Sequence, residues 1–334
     1  MLKRLIGMIL SIFVLIFGLS ISGSVWAEKQ IVMKVAHYQP TTHPRHLSLL
    51  KFKKLIEKAT HNGIKIEIYP SGQLGTDLDM VDATKLGTIQ GVRAGNFEAV
   101  APEILIYTLP FLFDSQKCAQ KVTMGPVGDK IGKYAEKNGL LVLATGDAGG
   151  FVNISNNKHP IITPDDMKGL KMRTPPIATK VETMKAFGAS PVAIPYGDVY
   201  MALKTGIADG QENPLINMEV MKFYEVQKYL TLINYQFTPD PFVVNLKWYR
   251  SLSSRYQKIL KKCAVKSMEY NDQLMAGETR KALSIMKKSM EIVTLTAAQR
   301  KAFIAKAQPV YDYFIAKGTV KKQDLDAIRA AIKK

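Results

Sequence analysis

Between Ile31 and Gly87 the hydrophobic pattern of the chain changes period three times, and this limits the folds open to it. Residues 31–36 are a short apolar run, as expected of a buried strand. Pro44 opens a helical pattern through Leu47, Leu50, Leu55 and Ile56 that stops near Gly63. Ile64, Ile66 and Ile68 then alternate with polar neighbours, the two-residue period of a strand with one covered face. After a turn over 69–75, Thr76 and Asp79 have the spacing of a helix cap, and Gly87 marks that helix's end. Strand, helix, strand, helix predicts a parallel sheet with crossover helices, because parallel neighbours cannot be joined by a tight turn. The alternation recurs over 140–145, 171–173, 181–188, 191–194 and 199–206, so the fold class is α/β.

The last third has a different character. From 252 to 290 there is no proline and one glycine, Gly277, while Tyr256, Ile259, Leu260 and Cys263 recur at helical spacing. A helix much longer than ~25 residues is unusual inside one compact domain. Its natural use is to run across two domains and tie them together, and a chain of 334 residues is long enough for two. Thr296, Gln299 and the stripe Phe303, Val310, Phe314 continue with further helices.

Residues 1–27 have the layout of a secretory signal: basic Lys3 and Arg4, an apolar core over 5–19, and Val25-Trp26-Ala27 as a small-residue cleavage site. The apolar core is short for a bilayer span, which takes ~20 residues; the alternative is a retained anchor. The formal charge of +18 is compatible with nucleic acid, an anionic membrane surface or anionic ligands. The basic residues are spread along the chain and no zinc-finger spacing or aromatic-rich RNA motif accompanies them, which favours a solvated basic surface. Cys118 and Cys263 lie far apart; they either pair in an oxidising compartment or remain buried thiols.

Two segments carry the chemistry. The run 163–173 ends in Arg173 at a strand tip, and 208–214 presents Gln211-Glu212-Asn213-Pro214. A guanidinium can meet a carboxylate with two parallel hydrogen bonds. An asparagine before a proline sits in extended backbone, where its amide can point into a cleft. Glu212 is placed to orient Arg173, and His37 and Gln39 end the first strand facing the same cleft. His43 and His46, with His37 and His61, are spaced too irregularly for a zinc site, so no metal is expected. There is no nucleophile elbow, phosphate loop or dinucleotide fingerprint, so neither catalysis nor a cofactor is expected.

These segments, with Ala36-His37, Tyr69-Pro70-Ser71-Gly72-Gln73-Leu74-Gly75, Leu109-Pro110-Phe111-Leu112-Phe113, Met167 to Arg173, Asp209 to Pro214, the run 223–230, and Asn245 with Trp248, resemble the DctP-type solute receptors of tripartite ATP-independent periplasmic (TRAP) transporters. The resemblance spans nearly the whole chain after residue 27. It implies a two-domain periplasmic binding protein fold, type II-like, with crossing strands and a long domain-spanning hinge helix. Domain I would comprise 28–150 plus 239–278, and domain II 151–238 plus 279–334. It implies a periplasmic monomer that captures a small organic acid in its interdomain cleft and delivers it to the membrane subunits of a sodium-driven transporter. Nucleic acid is not an implied partner. Alternatives are a periplasmic sensor subunit or an enzyme acting on an organic acid. Arg173 would clamp the carboxylate, Asn213 would assist, Tyr196 would line the pocket and Asp77 would lie near the cleft. Many relatives carry a second arginine in a Gly-Phe-Arg-like run where this chain has Phe151-Val152-Asn153. Its absence points to a simpler monocarboxylate or an acid with an apolar portion, with Phe151 and Tyr196 supplying apolar surface and Asn153 a hydrogen bond.

Overall fold

A computed structural model describes residues 30–333; the expected signal segment 1–27 lies outside the described residues. The first half of the fold is a five-stranded sheet. β1 (Ile31–His37) pairs in parallel with β2 (Ile64–Tyr69) and β3 (Gly91–Arg93), followed by β9 (Phe237–Asn245) and β4 (Leu140–Asn156), both antiparallel to their neighbours. In the second half, the far end of β4 pairs with β7 (Gly210–Pro214), which leads to β5 (Lys171–Thr174) and β6 (Ser190–Ala193). On its other side β4 meets β8 (Tyr229–Leu232), which carries β10 (Glu291–Thr294). β4 therefore belongs to both sheets. The parallel pairing expected from the local alternation holds within each half, but the sheets are mixed because β9 in the first and β4 in both run antiparallel to their neighbours. β9 escapes local pattern reading because it contains Pro239 and Pro241, which normally demote a run from strand to edge or loop.

Local chemistry accounts for the elements that place the site. Ile64 and Ile66 of β2 are fully buried while Lys65 between them is exposed. Thr76 and Asp79 form a reciprocal capping box at the start of the helix Asp77–Leu86, and Gly87 ends it at φ +82, a left-handed conformation that favours glycine. Helix Pro44–Ala59 starts with His43, whose Nδ1 accepts the Arg45 N–H. The long helix, Ser254–Met286, has 33 residues, about 50 Å of rise. Tyr256, Leu260, Ala264 and Met268 at its N-terminal end enter the core beneath β1 and β2. Ala282 and Met286 at its other end enter a separate core of the second half with Leu230 and Phe223. One helix thus anchors in both halves, and burying each such large apolar side chain contributes roughly 1.5–3 kcal/mol.

The C-terminal segment departs from the expected grouping of 279–334 with domain II. Phe303 and Ala307 do pack with the second half. Val310, Phe314, Val320, Leu325 and Ile328 instead join the core that contains Val92, Phe97 and Leu140 of the first half. Lys130 and Tyr134 of that half hydrogen-bond the Asp324 carboxylate at 2.8 Å each. The apolar stripe is continuous along the chain, so its change of partner has no local signature. Cys118 and Cys263 are both free thiols. Among the described residues no helix is long and apolar enough to cross a membrane.

Candidate functional site

Where the two halves face each other, the strand ends converge on a cavity of about 70 Å³. Its wall includes Gln39, just beyond β1; Asp77, at the first helix start after β2; Arg173 of β5; Tyr196; and Asn213 of β7. Five sequence-derived candidates are therefore brought together. Arg173 is almost completely buried. Its Nε donates to the Ile194 carbonyl at 2.8 Å, but its Nη2 has no hydrogen-bond partner among the described residues. Burial lowers its pKa to about 10, opposed mainly by the Glu212 carboxylate, so the guanidinium stays charged. A buried cationic donor with nothing to bind costs free energy, and an anion relieves that cost.

Around Arg173 the polar groups are held by one another. Asn213 Nδ2 donates to Gln211 Oε1 at 2.7 Å. Tyr196 donates its hydroxyl to the Asn217 carbonyl at 2.9 Å and packs edge-on against Tyr38, with ring centres 5.7 Å apart. His43 Nε2 donates to Asn217 Oδ1 at 3.1 Å; its Nδ1 is already an acceptor, which fixes the tautomer. Gln39 Nε2 lies 3.5 Å from the same Oδ1, and its own Oε1 is buried without a partner among the described residues. Asp77 accepts the Gly95 N–H at 3.0 Å, and burial raises its pKa above the usual carboxylate value.

Four of the expected residues are placed elsewhere. Phe151 packs edge-on against Phe237 and, with Asn153, lines a different cavity of about 210 Å³. Asn153 is occupied there, donating to the Phe151 carbonyl and accepting from the Asn234 N–H. His37 is fully buried behind the cavity, 3.0 Å from His46 Nδ1. Glu212 is buried and accepts from Lys180 Nζ at 2.6 Å and from Tyr235 at 3.0 Å; its action on Arg173 is through charge. Phe151 and Asn153 follow the register shift between Asp147 and Phe151 and line this second cavity, although Asn153 is the cross-strand partner of Asn213.

Sequence reasoning missed Tyr38, Arg45, Lys180 and Asn217, all in the cavity wall. Arg45 and Lys180 are the informative pair. Arg45 donates to Asp240 Oδ2 at 2.9 Å, and the same carboxylate oxygen also binds buried Arg93. Two guanidiniums on one carboxylate leave a positive charge over. Lys180 is neutralised by Glu212. Pro44 preceding Arg45 marked a helix start but gave no hint of burial, and Lys180 sits in an ordinary helical run. A larger groove of about 630 Å³ beside Leu86 and Trp248 contains, among the described residues, no buried unpartnered side-chain atom, which sets the Arg173 cavity apart.

The arrangement is a set of positioned polar groups around a buried guanidinium that makes no ion pair among the described residues. The family model described as "Bacterial extracellular solute-binding protein, family 7" (DctP) matches residues 35–318. The 2,3-diketo-L-gulonate-binding periplasmic protein YiaO of Escherichia coli is 33% identical over 82% of this chain and 84% of its own length. The C4-dicarboxylate-binding periplasmic protein DctP of Rhodobacter capsulatus is 32% identical over 93% of each chain. The crystal structure of a TRAP periplasmic solute-binding protein from Haemophilus influenzae with bound L-gulonate superposes with a TM-score of 0.86 at 31% identity, covering 90% of this chain and 100% of that one. With its two-domain α/β fold and this family match over most of its length, the chain belongs to the DctP family of bacterial extracellular solute-binding proteins.

Proposed function

We propose that this protein is a periplasmic receptor that captures a small organic acid between its two domains and hands it, as a monomer, to the membrane subunits of a TRAP transporter. The single observation that carries this is the buried Nη2 of Arg173, without a partner among the described residues, in a side chain that lines the interdomain cavity. Asn213, Tyr196, Gln39 and Asp77 complete the binding wall, and the second domain closes on the first around the ligand. The names of the relatives, which bind diketogulonate and C4-dicarboxylates, support a carboxylate ligand. The family description, an extracellular solute-binding protein, supports a receptor.

Calorimetry on Arg173→Ala tests the assignment. Removing the charge partner of a buried carboxylate costs on the order of 3–5 kcal/mol, which corresponds to a loss of roughly a hundredfold or more in affinity. Arg173→Lys should recover part of that loss, since a point charge replaces a two-pronged donor. Wild-type affinity in the alanine variant would count decisively against the proposed site. A thermal-shift screen over organic acids identifies the ligand to use.

A further inference from the structure

The cavity of about 210 Å³ beside the crossover of β4 has no part in the site described so far. Its wall draws on both halves. Asp114 enters just ahead of a helix whose Ala119 and Val122 lie in the core of the first half. Leu215 enters from a core of the second half, Thr279 from the long helix and Arg300 from the helix Ala297–Ala316. Ala148 and Pro214 line the Arg173 cavity, and the very next residues, Gly149 and Leu215, line this one. The two cavities therefore share the crossing segment, and whatever fills the second touches the chain that joins the halves.

Arg300 and Asp114 are the two charged residues of this wall. Arg300 is the fourth residue of its helix, near the positive end of the helix dipole, where a cation is disfavoured. Its guanidinium carbon lies 4.8 Å from the centre of the Phe111 ring, which attracts the charge but offers no acceptor to the in-plane N–H groups. Its side chain makes no ion pair or hydrogen bond among the described residues, and neither does the Asp114 carboxylate. A cation and an anion thus stand on one wall without pairing with each other. A plain anion would meet Arg300 and be repelled by Asp114, a plain cation the reverse, and a zwitterion satisfies both. The space holds on the order of ten water-sized groups, enough for a small amino acid. In this structure the halves also touch across the cleft, where Glu98 meets the Ala178 N–H at 2.8 Å and Thr108 meets Thr179 at 2.7 Å. The cavity as it stands belongs to that closed arrangement, and a ligand fitted to it favours closure over any arrangement in which its walls separate. We propose that this cavity is a second binding site, for a small zwitterion such as an amino acid, with Arg300 taking the carboxylate and Asp114 the ammonium, and that filling it steadies the closed form. The coupling to closure, though not the site, rests on the receptor reading above.

The test is calorimetry with L-serine, L-threonine and γ-aminobutyrate, with lactate and ethanolamine as controls that carry one charge each. In the Arg173→Ala background, which silences the cleft, at least one of the three should bind about tenfold more tightly than either control. Adding Arg300→Gln should weaken that binding about tenfold, and Arg300→Lys should fall between. Asp114→Asn should weaken it about threefold, because that carboxylate is exposed and screened. In the otherwise unaltered protein, a saturating amount of the same amino acid should tighten the organic acid with the largest thermal shift about fivefold, and should not do so in Arg300→Gln. No binding of the three in Arg173→Ala, or binding there indifferent to Arg300→Gln, overturns the site. Binding through Arg300 that leaves the acid's affinity unchanged overturns the coupling. Failure of every organic acid to bind the wild type overturns the receptor reading and the coupling with it, while the Arg300 site stands or falls on amino-acid binding alone.

Discussion

At the residue scale, the buried charges are arranged in small closed groups, and each group predicts how it fails. Lys180, Glu212 and Tyr235 form one such group, with all three side chains removed from water. Glu212 Oε1 has no partner among the described residues, so this carboxylate is bound there through a single oxygen while its charge acts on Arg173. Removing it should leave Lys180 stranded. Glu212→Gln is expected to destabilise the protein by about 3–5 kcal/mol in urea unfolding, and the double variant Glu212→Gln, Lys180→Met should recover much of that loss. Additive losses in the double variant would mean that the two groups are not coupled as their 2.6 Å contact implies. This group also shows where sequence reasoning stopped. Arg173 and Asn213 were legible because motif and neighbours mark them. The absent arginine at 151–153 was legible too, but not its consequence, since Arg45 and Lys180 arrive from helices distant in sequence. Burial of a charge is decided by tertiary packing, and a single lysine in a helix carries no mark of it.

Elements close the cleft, and one contact stands out for what it lacks elsewhere. The helix Ala178–Ala186 begins at Ile177, which has no capping side chain. Its first free N–H, that of Ala178, is instead met at 2.8 Å by Glu98, from the short helix Phe97–Val100 of the first half. Thr108 and Thr179 hydrogen-bond across the same junction at 2.7 Å. A carboxylate at a helix N-terminus contributes on the order of 1 kcal/mol. If it forms only when the domains meet, that energy belongs to the closed state. Glu98→Ala should therefore weaken ligand binding about fivefold, chiefly through faster dissociation in stopped-flow measurements. Glu98→Gln, which keeps the acceptor, should lie close to wild type, and the melting temperature without ligand should barely move in either. Unchanged dissociation in Glu98→Ala would make the contact incidental to closure. The helices and strands themselves were largely readable, as at the Thr76 capping box and the Ile64–Ile66 alternation, because their signals are local. β9, with its two prolines, and the swap of the C-terminal stripe between cores depend on what lies opposite, and no local pattern contains that information.

For the whole molecule, the decisive place is where β4 leaves one sheet for the other against the long helix. Asp147 accepts from the N–H groups of Gly149 and Gly150, both at positive φ, and so shapes the bulge. Asn271 of the long helix donates to the Asp147 carbonyl at 2.9 Å, with Asp272 beside it. Burial pushes Asp147 up to about 6, and burial plus the nearby Asp147 charge pushes Asp272 up to about 7. Between about pH 4 and 7 the folded chain therefore holds protons that the unfolded chain has released. The stability these groups contribute is full below about pH 4 and is lost as pH rises through 6 and 7. His37 and His43 act in the opposite sense. Burial lowers them to about 2 and about 3, so their contribution is present above the ordinary 6.5 and is lost as pH falls. The total profile mixes the two, and the informative quantity is a difference between variants. The stability of Asp272→Asn relative to the wild type in urea should rise between pH 5 and pH 8, by on the order of 2 kcal/mol, because only the native side chain must ionise over that range. Arg93 opposes this, since it favours the ionised form of Asp272. A stability difference that does not change with pH would mean that Arg93 already neutralises Asp272 in the fold, and that the junction between the domains carries an ion pair where two like charges are inferred.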